Sequence, residues 1–313
     1  MSIRRVVMAG WLALAFAACA STQLTPGERF LDAPGGRIWV DVVGSGDGTP
    51  LLVLHGGPGA SSGYLRSLAV LGDERPVVFY DQLGGGKSDR PDDASLWTLE
   101  RFTRELAGLR EQLGLRRVHV LGHSFGAALA AEHVLGGARG VESVVFASPL
   151  LSSELWMRDA NALRSRLPAE TQETLAAHEA AGTTDSPAYQ AAAGEYYQRH
   201  LILRRPLPPE LRDLSASVNQ QIYGTMWGPS EFSVTGNLKG YDARARLPQL
   251  RKPVLFVVGR SDEATPESAA ELQRLVPGAQ LIVLEHSAHM TPLDEPEAFA
   301  AAIREFLREA EAR

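Results

Sequence analysis

Short runs of apolar, largely β-branched residues recur along the chain at 37–43, 51–54, 77–80, 118–121, 144–146, 254–258 and 281–284. Runs of this length, bounded by Gly, Pro and Asp, read as strands. The middle ones are continuously apolar instead of alternating, which predicts parallel strands covered on both faces. Segments of helical periodicity such as 99–113 separate them. Together they predict an α/β architecture built on a mostly parallel, doubly wound sheet. From 151 to 241 the pattern changes to helical stretches at 159–166, 169–181 and 188–203, broken by Pro168, Pro187, Pro206, Pro208 and Pro209, with no strand run. This predicts a helical cap inserted into a core made of 21–150 and 242–313. It would lie over the carboxyl edge of the sheet, where open α/β sheets bind ligands.

The N-terminal pattern belongs to neither unit. Arg4 and Arg5 precede an uncharged, mostly apolar stretch at 6–18, so 1–20 reads as a secretory signal. The stretch is shorter than the ~20 residues that a membrane span needs. Cys19, the only cysteine, follows Phe16-Ala17-Ala18 in an arrangement that resembles a bacterial lipoprotein box. Cleavage ahead of Cys19 would leave a thiol to carry lipid and attach the protein to a membrane; cleavage ahead of Ser21 would give a free periplasmic protein. A single cysteine forms no internal disulfide. The remaining composition is that of a globular protein, with 313 residues, 44% apolar, 22% charged and a net charge of -6 from 31 basic and 37 acidic side chains. Disorder is excluded, and there is no basic footprint for a nucleic-acid partner.

The chemistry starts at the strand 118–121. It runs into Gly122-His123-Ser124-Phe125-Gly126 and then an alanine-rich helical segment at 127–135. This is a G-x-S-x-G turn in the strand–turn–helix setting that lifts a serine hydroxyl above a sheet, with the flanking positions nearly free of side chain. The helix behind Ser124 points free N–H groups at an oxyanion formed there. A serine hydroxyl near neutral pH needs a base, and the base needs an orienting carboxylate. Asp262, in the loop after 254–258, is the candidate acid. His289, in the loop after 281–284, is the candidate base, with His286 as its rival. His55-Gly56-Gly57-Pro58-Gly59 follows the strand 51–54 and supplies the other half of an oxyanion hole. Gly57 and Phe125 are the expected donors, with Gly56 as a substitute for Gly57.

These motifs amount to a resemblance. The chain resembles an α/β-hydrolase of the proline iminopeptidase family, and the likeness runs from Phe30 to Phe306. His55 to Gly59 matches the family's HGGPG. Asp81-Gln82-Leu83-Gly84-Gly85-Gly86-Lys87-Ser88 matches its DQxGxGxS, and Gly228-Pro229-Ser230-Glu231-Phe232 with Gly236 resembles the cap motif of its tricorn-interacting branch. Phe125 and Gly85 stand where many relatives have Trp and Cys. The resemblance implies a serine hydrolase that releases an N-terminal residue, proline or another, often hydrophobic, from short peptides or amino-acid amides without metal or organic cofactor. By the same likeness Glu231 and Glu263 correspond to glutamates that bind the free amine. A carboxylate is the natural ligand for an ammonium held one residue from the scissile carbonyl. Tyr223, Trp227 and Phe232 are candidates to line the side-chain pocket. An esterase or lactonase on the same scaffold is the alternative. A nucleotide-binding loop at 84–88 fails on spacing, because position 81, where such a loop needs glycine, is Asp.

Overall fold

A computed structural model describes residues 24–312. The signal segment and Cys19 therefore lie outside the described residues. Among the described residues eight strands form one sheet: β1 (Gly27–Ala33), β2 (Gly36–Val43), β3 (Leu51–Leu54), β4 (Val77–Tyr80), β5 (Val118–His123), β6 (Val141–Ala147), β7 (Val254–Gly259) and β8 (Gln280–Leu284). Their spatial order is β1-β2-β4-β3-β5-β6-β7-β8. The hairpin β1–β2 and the pair β2–β4 are antiparallel, and every later pairing is parallel.

The apolar runs are unbroken because the sheet separates two cores. Alternate residues of one strand point to opposite faces. Leu52, Leu54, Val78, Tyr80, Val120, Val144 and Phe146 enter one core, which α1 (Leu99–Gln112) and α2 (Phe125–Leu135) help to cover. Leu51, Val53, Val77, Phe79, Leu121, Val145, Leu255 and Val257 enter the other. There they meet the short 3-10 turns of 62–73 and the C-terminal helix, whose Phe299, Ile303 and Phe306 face the sheet.

Between β6 and β7 the chain forms five helices: α3 (Ser153–Arg164), α4 (Ala169–Ala181), α5 (Pro187–His200), α6 (Pro209–Ser217) and α7 (Gln220–Met226). The described remainder holds α8 (Pro266–Leu275), the single turn α9 (Thr291–Asp294) and α10 (Pro296–Glu311). The inserted helices are clipped to the core by backbone and side-chain bonds at the carboxyl edge of the sheet. His289 and Met290 donate their N–H groups to the carbonyls of His200 and Leu201, Asn219 donates its backbone N–H to Gly59, and its side-chain amide donates to the Gly84 carbonyl. Asp294 accepts from the N–H groups of Leu203 and Arg204. None of the described helices is long and apolar enough to cross a membrane.

Candidate active site

Ser124 closes β5 and caps α2 with φ 54° and ψ -121°, a conformation rare for a residue with a side chain. The turn holds because its neighbours are glycines. A methyl group on Gly122 would lie 2.2 Å from the Gly126 carbonyl oxygen, and one on Gly126 would lie 2.3 Å from that of Leu54. Gly56 backs the serine from the other side, where an added methyl would come within 2.8 Å of the Ser124 Cβ. The Ser124 N–H donates to the Ala147 carbonyl (3.0 Å), which ties the turn to the neighbouring strand.

Asp262 follows β7 and is 1% exposed. Its Oδ1 accepts from the Ala264 N–H (2.8 Å) and its Oδ2 from the Gly259 N–H (3.3 Å), so the loop's own backbone aims the carboxylate. The remaining direction of Oδ1 faces His289 Nδ1 at 2.9 Å. His289, 3% exposed, lies after β8 and shares a cavity wall with Ser124. The Trp156 ring stands edge-on to its imidazole at 5.4 Å between centroids. The rival His286 is exposed, and its backbone N–H is bound to Glu295, away from Asp262. With Nδ1 committed to the carboxylate, Nε2 of His289 is the nitrogen left to exchange a proton with a hydroxyl.

The loop 55–59 shows which of its N–H groups is free. Gly56 donates to the Tyr64 hydroxyl at 2.7 Å and so is removed as a substitute donor. The Gln82 N–H donates to Nε2 of His55 (2.9 Å), which leaves the proton of this neutral ring on Nδ1, 2.7 Å from the Gly56 carbonyl. Burial pushes the His55 imidazole down, in keeping with a neutral ring. A trans peptide holds its C=O and N–H antiparallel. Pinning the Gly56 carbonyl against His55 therefore turns the N–H of Gly57 away from that ring, and Gly57 is one of the residues on the cavity wall. Neither Gly57 nor Phe125 has a backbone acceptor for its N–H among the described residues. The DQ motif supports this loop. Asp81 accepts from Ser62 N–H, Ser62 Oγ and Lys87 N–H, and the Gln82 amide donates to the His55 carbonyl at 2.8 Å.

A cavity of about 350 Å³ opens in front of the serine. Gly57, Ser124, Tyr197, Tyr223, Glu231 and His289 are on its wall, with Leu211, Leu214 and Met290 supplying apolar surface. Of the three aromatic candidates only Tyr223 lines it. Trp227 and Phe232 are buried in the core of the inserted helices, with the Trp227 indole donating to the Ser230 carbonyl. Glu231 is fixed by its own carbonyl, which accepts from the Trp156 indole at 2.9 Å. Burial pushes the Glu231 carboxyl up, while His289 and a hydrogen bond from Tyr223 pull it down.

Glu263 does not line the cavity. It is fully buried, and neither carboxylate oxygen has a hydrogen-bond partner of ordinary geometry among the described residues. Burial, followed by the charges of Glu231 and Asp262, holds its carboxyl well above the usual range. Such a group costs stability when it ionises. Between its ordinary pKa and its raised folded value the native protein keeps a proton that the unfolded chain has released, so this contribution weakens the fold as pH rises. Glu263→Gln is therefore expected to melt higher than the parent, with the gap growing from pH 5 to pH 8. At pH 8 it should reach about 3 °C or more, since 1 kcal/mol is worth roughly 2–4 °C in a larger domain. Melting curves at the two pH values check this; a gap that is constant or reversed contradicts it. Among the described residues no cluster of three or more His, Cys, Asp or Glu side chains is placed to hold a metal ion.

Two residues of the site went unassigned from sequence. Tyr64 lies outside every motif of the chain, and His123 occupies a variable position of the G-x-S-x-G turn; both touch the loop or the base described above.

Comparison with known proteins agrees with this architecture. Residues 49–296 match the family model described as alpha/beta hydrolase fold. The chain is 47% identical over 283 residues to a proline iminopeptidase of Heyndrickxia coagulans, covering 90% of this chain and 98% of that one. Among solved structures, the proline iminopeptidase of Mycobacterium smegmatis superposes with a TM-score of 0.84 at 36% identity, covering 91% of this chain and 99% of that one. VinJ superposes with a TM-score of 0.87 at 34% identity and the same coverage. By length and identity of match, this chain belongs to the proline iminopeptidase family of α/β hydrolases.

Proposed function

We propose that the protein is a serine aminopeptidase that releases an N-terminal residue, proline among the candidates, from short peptides or amino-acid amides. Ser124 Oγ attacks the carbonyl of the N-terminal residue. His289, oriented by Asp262, takes the hydroxyl proton and delivers it to the leaving amine. Water then hydrolyses the acyl-enzyme with His289 again as base. The N–H groups of Gly57 and Phe125 receive the oxyanion of both tetrahedral species, a contribution of roughly 3 kcal/mol per donor in analogous sites.

The observation that carries the aminopeptidase reading is the acidic end of the cavity. Glu231 stands on the same wall as Ser124 and His289, with Glu263 buried behind it. The Glu231 carboxylate on that confined wall suits a cationic ligand, and a free α-ammonium is such a ligand. The matching test compares aminoacyl p-nitroanilides with a free amine against their N-acetylated forms. A preference of about 10- to 150-fold for the free amine in kcat/KM is expected, in line with charge-assisted hydrogen bonds worth ~1.5–3 kcal/mol. Equal turnover of both would favour the esterase or lactonase reading.

We infer further that the chain is exported. Arg4, Arg5, the uncharged stretch at 6–18 and the small residues around Cys19 support a secreted chain whose Cys19 carries lipid at the membrane surface. The mass of the processed N-terminus distinguishes a lipidated Cys19 from a free Ser21, and an intact Met1 in exporting cells would refute both.

A further inference from the structure

Two buried side chains without a role in the chemistry just described, Tyr64 and His123, connect the oxyanion loop to the base. The Gly56 N–H donates to the Tyr64 hydroxyl oxygen at 2.7 Å. That oxygen lies 2.9 Å from Nδ1 of His123, and Nε2 of His123 lies 3.0 Å from the backbone carbonyl oxygen of His289. The direction of every bond follows from its last member. A carbonyl only accepts, so Nε2 of His123 carries hydrogen. Burial pushes the His123 imidazole down to about 3, so the ring is neutral and its Nδ1 is bare. The Tyr64 hydroxyl must then donate to Nδ1, which leaves its oxygen to accept from Gly56. The residues bonded in this chain are 59 and 166 positions apart in sequence.

Packing alone would not require this arrangement. Tyr64 is 2% exposed and His123 1%. An apolar side chain of similar volume would fill the space at either position but leave the Gly56 N–H or the Tyr64 hydroxyl without its partner. The chain instead grips two backbones. At one end is the residue before the Gly57 donor. At the other is the carbonyl of His289, which also accepts from Ser148 Oγ at 3.1 Å, while the His289 N–H is held by the His200 carbonyl. Asp262 sets the rotation of the imidazole; these bonds set where its backbone stands.

We propose that Tyr64 and His123 form a positioning relay that fixes the separation between the oxyanion donors of loop 55–59 and the imidazole of His289. This rests on the roles given above to Ser124, Gly57 and His289. Both side chains act through the groups they hold, so the relay is expected to govern kcat and leave substrate capture almost untouched. A displacement of about 1 Å in such a constellation costs on the order of 100-fold in rate.

The test uses the full mature chain and three readouts: hydrolysis of an aminoacyl p-nitroanilide, hydrolysis of p-nitrophenyl acetate, and the rate of Ser124 labelling by a fluorophosphonate. His123→Leu is expected to lower kcat on both substrates by about 10- to 100-fold, with KM within about threefold of the parent. Tyr64→Phe, which removes one oxygen, should lower kcat by about 5- to 30-fold. The double variant should be no more than about twofold worse than His123→Leu, because both changes break the same chain. His123→Gln restores a donor toward the His289 carbonyl and should recover kcat to within about fivefold of the parent.

A His123→Leu protein with kcat within twofold of the parent, single losses that multiply in the double variant, a loss confined to KM, or a Gln variant as slow as the Leu variant would each overturn the relay. If near-UV circular dichroism shows that His123→Leu does not fold, Tyr64→Phe decides alone, and kcat within twofold overturns it. The aminopeptidase reading fails separately: a parent that turns over the acetate ester without preferring free amines loses that reading, while the relay is still read through the ester and the labelling rate. A parent inert to all three probes would overturn both.

Discussion

Ser124→Ala is expected to give a folded protein whose kcat on aminoacyl p-nitroanilides falls by about 10⁶-fold, the loss seen when a triad nucleophile is removed from a comparable serine hydrolase. The fold should survive because the change removes one oxygen and leaves intact what makes the turn. Gly122 and Gly126 still allow the close approach, and the Ser124 backbone N–H still reaches Ala147. Ser124 makes no side-chain cap bond to the helix it precedes, so its hydroxyl has no structural duty there. Any residual turnover then measures what binding and the oxyanion donors contribute without a nucleophile. Retention of more than about one part in a hundred of parental kcat would remove Ser124 from the role, because no binding or oxyanion contribution reaches that level once covalent catalysis is lost.

Glu231→Gln is the second large effect. The substitution keeps the shape of the side chain and removes its charge, at a position whose backbone is fixed by the Trp156 indole and whose carboxyl faces the cavity beside His289. On free-amine substrates kcat/KM is expected to fall by about 10- to 150-fold, as charge-assisted hydrogen bonds are worth ~1.5–3 kcal/mol. On the N-acetylated counterparts and on simple esters the change should stay within about threefold, since the neutral substrates have no ammonium to lose. The contrast between the two substrate sets carries the result. An equal loss on both would mean that Glu231 supports the fold of the Gly228–Phe232 turn and does not meet the amine.

Much of the fold is legible in the residue pattern because the sheet is buried on both faces. β3 and β4 are continuous apolar runs for that reason, each side chain in them having a core to enter, whereas β5 carries within its run the buried His119, whose Nδ1 meets Ser143 Oγ. β1 escapes the same reading. It is an edge strand with alternately exposed residues, GERFLDA, and its place in the sheet comes from the tight turn at Pro34 and Gly35 that pairs Ala33 with Gly36. The 3-10 segment 62–73 and the short helices α6 and α7 are equally hard to see, since seven to twelve residues of weak periodicity do not distinguish a helix from a loop.

The site divides along a similar line. A residue whose role follows from its place on one strand–loop junction can be read from the chain, and Ser124, Asp262 and His289 each stand at the carboxyl end of a strand. Gly57 was singled out over Gly56 by motif, but the physical reason lies in three separate segments: Tyr64 takes the Gly56 N–H, His55 takes its carbonyl, and Gln82 sets the His55 tautomer. Pairings across such sequence distances leave no local periodicity. The same holds for Trp227 and Phe232, whose aromatic character suited a pocket as well as a core and which packing assigns to the core.

The most direct measurement of the central assignment is peptide mass spectrometry of the protein after reaction with a fluorophosphonate. The expected result is one adduct on the peptide that contains Gly122 to Gly126, located at Ser124 and absent from Ser124→Ala. An adduct on another residue, or an active enzyme that carries none, would contradict it.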